Sequence, residues 1–451
     1  MKRTASQWLA ISSISVVLVI SAHARTRPRY GGNLRVETSA VVNNSADFLR
    51  PLIGDTLTSL DPQGKPRPHL ALRWASQNGG KRWQFWIRSD AKLPDGSFLT
   101  ATLIAQGLTA LTTQFHRWQS VRASGDTLIF ESDTPMPDLP AELASPFNAI
   151  AFADPSGATV GTGPFRIAGG SPNTVILKSN SDYWHGRPFV DSIEITGQHS
   201  VRAQWLDLNI TRTDIAEVPP EEIRLAEQSR MRTAISPVNE LLVLKISDDT
   251  PQLQDVHLRQ AIADSIDRNS ILNFIYQKQG ETTGSLLPNW MTGYGMLFDS
   301  AQDLATARDI RAALPYIPAL TIAYPSGDST LQLIAERVAL NIRDAGLNVQ
   351  TSPDNATVKA DMHLVLLHLQ SDNPAVALAG IANELGMTMT PLPSNGMENI
   401  YNTEQAMLSA YKAVPLLYLP TAYAASSRVR DWRVGKMGAL SWRDYWLEDH
   451  K

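Results

Sequence analysis

A chain of 451 residues has room for roughly three domain-sized units and is far longer than any disulfide- or metal-stapled mini-protein. With 43% apolar and 19% charged residues it can bury a large core, which excludes wholesale disorder; a net charge of −4 without a basic run makes nucleic acid a poor partner. The complete lack of cysteine excludes disulfides, thiolate zinc sites, iron–sulfur clusters, cysteine nucleophiles and a lipidated cysteine anchor.

The N-terminus sets the expected compartment. Lys2 and Arg3 precede an apolar run over 9–20 (LAISSISVVLVI), and Ala22-His23-Ala24 presents small residues at the positions a signal peptidase reads. The pattern predicts a signal peptide over 1–24, cleaved after Ala24. A membrane anchor needs about 20 apolar residues, and this run is shorter. Removing it takes away two basic residues and leaves a net charge of −6. The expectation is an exported, periplasmic protein that is not a lipoprotein.

Strands are expected at 33–37, 83–88 (WQFWIR), 128–131, 175–178 and 193–195, from alternation and aromatic density. Thr100 is placed to cap a helix with Ile104, Leu108 and Leu111 on its apolar stripe. Asp255 is placed to cap another, with Leu258, Ile262 and Ile266. A third carries Leu331, Ile334, Val338 and Ile342, stops at Gly346, and leads to a strand over 347–350. Arg259 and Asp267, read on one helix, lie about 80° apart around it. Helices and strands alternate best beyond residue 250, which suggests an α/β unit there.

Catalytic and cofactor motifs are excluded one by one. There is no HExxH, phosphate-loop or Gly-x-Ser-x-Gly pattern. Gly161-Thr162-Gly163 is followed by Pro164, so it reads as a turn and not as the start of a dinucleotide site. His363 and His368 lie five apart on a strand, hence on opposite faces, and cannot share one metal ion; one is expected packed or hydrogen-bonded and the other outward. Glu221-Glu222 and Asp248-Asp249 read as solvated pairs. No cofactor and no metal site is expected. Trp290 and Tyr294 lie in a loop rich in Gly and Pro, where Trp290 is either a buried anchor or a ligand contact.

Four segments in order carry a resemblance. They are 57–74 (LTSLDPQGKPRPHLALRW), 83–100 (WQFWIRSDAKLPDGSFLT), 160–195 with VGTGPFRI and SNSDYWHGRPFVDSIEI, and 253–271 (LQDVHLRQAIADSIDRNSI). Together they resemble the extracellular solute-binding proteins of family five, the peptide- and nickel-binding receptors of bacterial ABC importers. The resemblance runs from about residue 30 to the C-terminus. The chain departs from the family pattern in a shortened last third, where LLHLQSDNPAVALAG lacks the usual Trp, and after the first strand, where SAVVNNSADF replaces the usual phrase.

The resemblance implies an α/β, two-lobed periplasmic-binding-protein fold with a hinge. It puts the first lobe at 25–244 plus 419–451, with an extra subdomain over 48–152, and the second lobe at 245–418. It implies a non-enzymatic receptor that closes on an oligopeptide or dipeptide and delivers it to ABC permease subunits, acting as a monomer without nucleic acid. A non-peptide ligand (sugar, metal chelate, opine) and a sensory receptor without a transport partner remain the alternatives. By position the cleft would be lined by Val41, Asn43, Asn239, Glu240, Trp290, Tyr294 and Asp372. Asp372 would hold the ligand's α-ammonium; in Ser371-Asp372-Asn373-Pro374 its other reading is a turn or a helix cap.

Overall fold

The computed structural model describes residues 27–39, 42, 50, 52–61, 65–109, 111, 118–154, 157–229, 231–247, 249–355, 359–369, 371–387 and 396–448. The expected signal peptide and the expected cleft residues Val41 and Asn43 lie outside the described residues.

Alternation builds β1 (Asn33–Glu37), which buries Leu34 and Val36. The chain then makes a separate unit. β2 (Thr58–Leu60) and β3 (Pro66–Pro68) form a hairpin, and β4 (Ala71–Gln77), β5 (Arg82–Ile87), β6 (Ser120–Ser124) and β7 (Thr127–Glu131) form an antiparallel sheet in the order β4-β5-β7-β6. Helix α1 (Ala101–Thr109) joins it in one core; Thr100 Oγ1 accepts the Leu103 N–H at 3.3 Å, and Ile104 and Leu108 are fully buried. β8 (Ala151–Ala153) and β9 (Thr159–Gly161) lead back to the main body. Gly161 and Gly163 are needed there for close approach: a Cβ on either would fall 2.4 or 2.6 Å from the Ile53 carbonyl oxygen.

The main body is one eleven-stranded sheet. β10 (Phe165–Ser171), β11 (Thr174–Ser179), β12 (Ser192–Thr196), β13 (Ile215–Val218), β14 (Arg232–Ile246), β15 (Glu281–Thr282), β16 (Leu320–Tyr324), β17 (Val349–Pro353), β18 (Met362–His368) and β19 (Ala413–Ala425) join β1 in it. The order is β10-β11-β12-β1-β13-β19-β14-β18-β16-β17, with β15 on β19. β20 (Val429–Arg430) and β21 (Trp446–Leu447) pair with each other, and Val429 and Leu447 share a core with Leu34 and Val36. The helices of eight or more residues that follow are α2 (Val201–Asn209), α3 (Val256–Ser265), α4 (Leu304–Ala313), α5 (Ser329–Asp344), α6 (Pro374–Glu384) and α7 (Met397–Leu408).

The fold is two-lobed, and the lobes share β14 and β19. The lower half of β19 pairs with β13, and the upper half of β14 pairs with β18, from Glu240↔His368 to Ile246↔Met362. The run Leu241 to Leu244 is buried on both faces: Leu242 and Leu244 pack with Ile334, Val338 and Ile342 of α5, Leu241 and Val243 with Leu378 and Ile381 of α6. Burial on both faces explains its continuous apolar sequence, where one-sided strands alternate.

Three local expectations change. The strand expected at 347–350 begins at Val349, because Leu347 closes the α5 terminus: Gly346, at φ +89°, donates to the Arg343 carbonyl, and the Leu347 N–H reaches the Ile342 carbonyl. Arg259 and Asp267 do not share a helix. α3 ends at Ser265, and Asp267 caps the next turn by accepting the Ser270 N–H at 3.0 Å. Both strand histidines have partners: His363 Nδ1 lies 3.9 Å from Asp354, and His368 bonds the Met437 carbonyl at 3.0 Å through Nε2.

Candidate functional site

The crossing strands carry a break that places the site. Pro237 and Pro420 lack an N–H, and the β14–β19 register shifts between Ile235 and Val238 and again before Glu240. Asn239 fills the gap. It is fully buried, and its Oδ1 accepts from Thr421 N at 3.1 Å, Thr421 Oγ1 at 2.9 Å and Ser236 Oγ at 3.3 Å. Its backbone carbonyl accepts the Leu369 N–H at 3.0 Å, which ties the end of β18 to the crossing. Gly438 closes over this knot: a Cβ there would come within 2.7 Å of Asn239 Nδ2 and Thr421 Oγ1. Asn239 is thus a plug that packs between the strands.

The neighbouring expected residues gather around that plug in different roles. Glu240 is half-buried, with a carboxylate oxygen 3.6 Å from His368 Nδ1. Trp290, in the short turn Asn289–Thr292, donates its Nε1–H to the Val238 carbonyl at 2.7 Å and packs on the α6 core. It is a loop anchor, and it fixes that loop next to the crossing. Tyr294 donates to Glu404 Oε2 at 2.8 Å and sets its ring edge-on to Tyr401, with centroids 5.3 Å apart. Burial first, then the Glu404 charge, pushes the Tyr294 hydroxyl pKa far up, so it stays a donor.

Glu404 is a residue that sequence reasoning missed. It is fully buried, and its Oε1 accepts from Ser285 Oγ at 2.6 Å, the Leu287 N–H at 3.1 Å and the Leu286 N–H. The signal was present: Ile400, Glu404 and Met407 form the buried stripe of α7, and a carboxylate on an apolar stripe demands a set of donors. Asp55 was missed as well. It accepts from Tyr183 Oη and Trp184 Nε1 at 2.8 Å each and from Thr162 Oγ1 at 3.0 Å, so it is what the Tyr183-Trp184 loop packs on. Arg88 lies over the Trp184 ring at 3.5 Å.

Asp372 is held differently. Asn373, not Asp372, caps α6, accepting from Ala375 N at 3.0 Å and Val376 N at 3.3 Å, so the cap reading of Asp372 is corrected. Its carboxyl is half-buried three residues beyond Leu369, which bonds the plug. Burial pushes its pKa up; its own backbone N–H and the Lys436 ammonium pull the other way. Lys436 immediately precedes Met437 and Gly438, which touch His368 and Asn239. The chain from Lys436 to Gly438, the end of β18, and the break in β14 therefore converge. The arrangement offers carboxylates from Asp372 and Glu240, an imidazole from His368 and an indole from Trp290. Such a set has the chemistry to hold a cationic group beside an apolar wall.

The family described as bacterial extracellular solute-binding proteins, family 5 Middle, matches residues 65–394. The nickel-binding protein NikA of Staphylococcus aureus (strain NCTC 8325 / PS 47) is 28% identical over 235 residues, 49% of this chain and 48% of that protein. In that alignment the chain spans about half the length of its curated relative. Among solved structures, NikA from S. aureus in complex with Ni(L-His)2 superposes with a TM-score of 0.81 at 18% identity, covering 92% of this chain and all of that one. The oligopeptide-binding protein AppA from Bacillus subtilis in complex with a nonapeptide gives 0.77 at 15% identity, covering 94% and 100%.

Proposed function

Because the chain belongs to the bacterial extracellular solute-binding proteins of family 5, we propose that it is an exported receptor that captures an oligopeptide or dipeptide between its lobes and delivers it to ABC permease subunits. The observation that carries this reading is Asp372: a half-buried carboxyl near the break in β14, with Lys436 close by and no side-chain donor bonded to it among the described residues. A ligand ammonium supplies the missing charge-assisted contact. Closure follows from β14 and β19, two continuous strands whose pairing weakens at Pro237 and Pro420, so that the lobes rotate about a short segment. We place the hinge there, ahead of the 244/245 division and just past the 418/419 one, since Leu241 to Leu244 pair with β18 and pack in the second lobe's cores. The first lobe then holds 25 to about 237 and about 420 to 451, with the subdomain at 48–152.

One observation favours a second ligand class. His368 is 42% exposed in its side chain and faces Glu240, a pair suited to a metal chelate. Native mass spectrometry of the protein taken from its own periplasm, followed by calorimetry with a short peptide pool and with nickel–histidine, separates the two. Peptide binding that weakens in Asp372→Asn supports the first reading. Binding of nickel–histidine alone, lost in His368→Ala, replaces it with the second.

A further inference from the structure

The far end of β1 carries another group of titratable side chains, away from the Asn239 plug. Leu34 and Val36 enter the core, so Glu37 lies on the opposite side of the strand from Val36's neighbours in the alternation, beside α2. His199 is locked next to it by the backbone: its N–H donates to the Thr38 carbonyl at 3.2 Å, and its carbonyl accepts Gln204 Nε2 at 3.0 Å. Ser200 caps α2, and Asp207 follows two turns along that helix. One ligand atom from each of Glu37, His199 and Asp207 lies within 4.8 Å of the other two.

The hydrogen bonding of this cluster is incomplete. Glu37 is 9% exposed; its Oε2 and His199 Nδ1 are both shut off from solvent, stand 3.3 Å apart, and make no hydrogen bond. Donors are not scarce nearby. Glu217 accepts from Thr38 Oγ1 at 2.5 Å, Ser39 N at 2.8 Å and Ser39 Oγ at 2.6 Å. The contrast leaves a buried Glu37 oxygen and a buried imidazole nitrogen side by side with no hydrogen-bond partner among the described residues. Arg212 meets Asp207 Oδ1 at 3.6 Å, but its side chain is 74% exposed and such a contact contributes little.

We propose that Glu37, His199 and Asp207 form a site for one divalent transition-metal ion. Two carboxylate oxygens and one imidazole nitrogen suit Zn2+ or Ni2+, with water completing the shell, and the ion balances the buried Glu37 carboxylate together with the half-buried Asp207. The site would pin the end of β1 to α2 and stands apart from Asp372 and His368.

The test is titration of the chelator-stripped full chain with Zn2+ alone, with no peptide or amino acid present to form a chelate. Saturable binding of one ion is expected, with a rise in unfolding temperature. His199→Ala and Asp207→Asn should each weaken it about tenfold or more, while the double variant Asp372→Asn/His368→Ala leaves it unchanged. Asp207→Asn keeps the side chain's shape, so it reports even if His199→Ala folds poorly. Absence of saturable binding overturns the proposal. So does binding that persists in both site variants, or that is lost in the Asp372→Asn/His368→Ala variant.

Discussion

Asp55 and Asp372 are both carboxylates withdrawn from water, and they are held in opposite ways. Asp55 receives three hydrogen bonds from Thr162, Tyr183 and Trp184, with His69 Nε2 at 3.9 Å. Asp372 has its own backbone N–H and the attraction of Lys436. A carboxylate surrounded by rigid donors is finished as structure, because any ligand would have to break bonds to reach it. One that is desolvated but under-supplied gains from an incoming cation. The comparison separates scaffold from receptor chemistry without reference to any ligand.

The largest effect should come from the finished site. Asp55→Ala strips three donors of their acceptor in a buried setting and should lower unfolding free energy by about 3 kcal/mol, measured by urea denaturation. A change under about 1 kcal/mol would mean the network is not structural. Asp372→Asn should do the reverse. It should leave urea stability within about 0.5 kcal/mol of wild type yet weaken peptide binding by about 2 kcal/mol, about 30-fold in calorimetry. Equal losses in both measurements would erase the distinction between the two residues.

The pH dependence sharpens it further. Asp372 has a folded pKa above its unfolded value, so its contribution to stability is full below an ordinary aspartate pKa of about 4 and is lost as pH rises through the raised value. Binding runs the other way, since an ammonium ligand needs the ionised carboxylate. As pH falls, peptide affinity should drop at a higher pH than an ordinary aspartate would give, and Asp372→Asn should remove that dependence. A wild-type affinity flat down to pH about 4 would remove Asp372 from the ligand.

The smallest effect concerns the Asn239 plug. Asn239→Ala removes the acceptor of three hydrogen bonds but also removes a buried Nδ2 that lacks a partner among the described residues. The two changes offset, so a net loss of about 1 kcal/mol is expected, together with a faster opening and closing rate in stopped-flow fluorescence. An unchanged rate would place the hinge elsewhere.

Much of the fold was legible in the chain. Periodicity found α1, α3 and α5 with their caps at Thr100 and Asp255 and the stop at Gly346, because capping and amphipathic spacing are local physics. Alternation found β1 and β12. Asp55, which holds Tyr183 from 128 positions earlier, was not legible, since nothing local announces a bond at that separation. Trp290 and Tyr294 were expected near the cleft for their chemistry; their bonds to Val238 and Glu404 turn them toward anchoring roles that composition does not encode.

The sequence by itself determined several helices and strands and the family, because these rest on spacing within a few turns or on motifs read in order. Only the tertiary structure decided which carboxylates are satisfied. Asp55, Glu404, Glu37 and Asp372 are alike as letters, and their difference is the number of donors that residues distant in the chain bring to each. The register break in the crossing strands also exists only in three dimensions. Pro237 and Pro420 are 183 positions apart, and they meet at one break because β14 and β19 pair side by side.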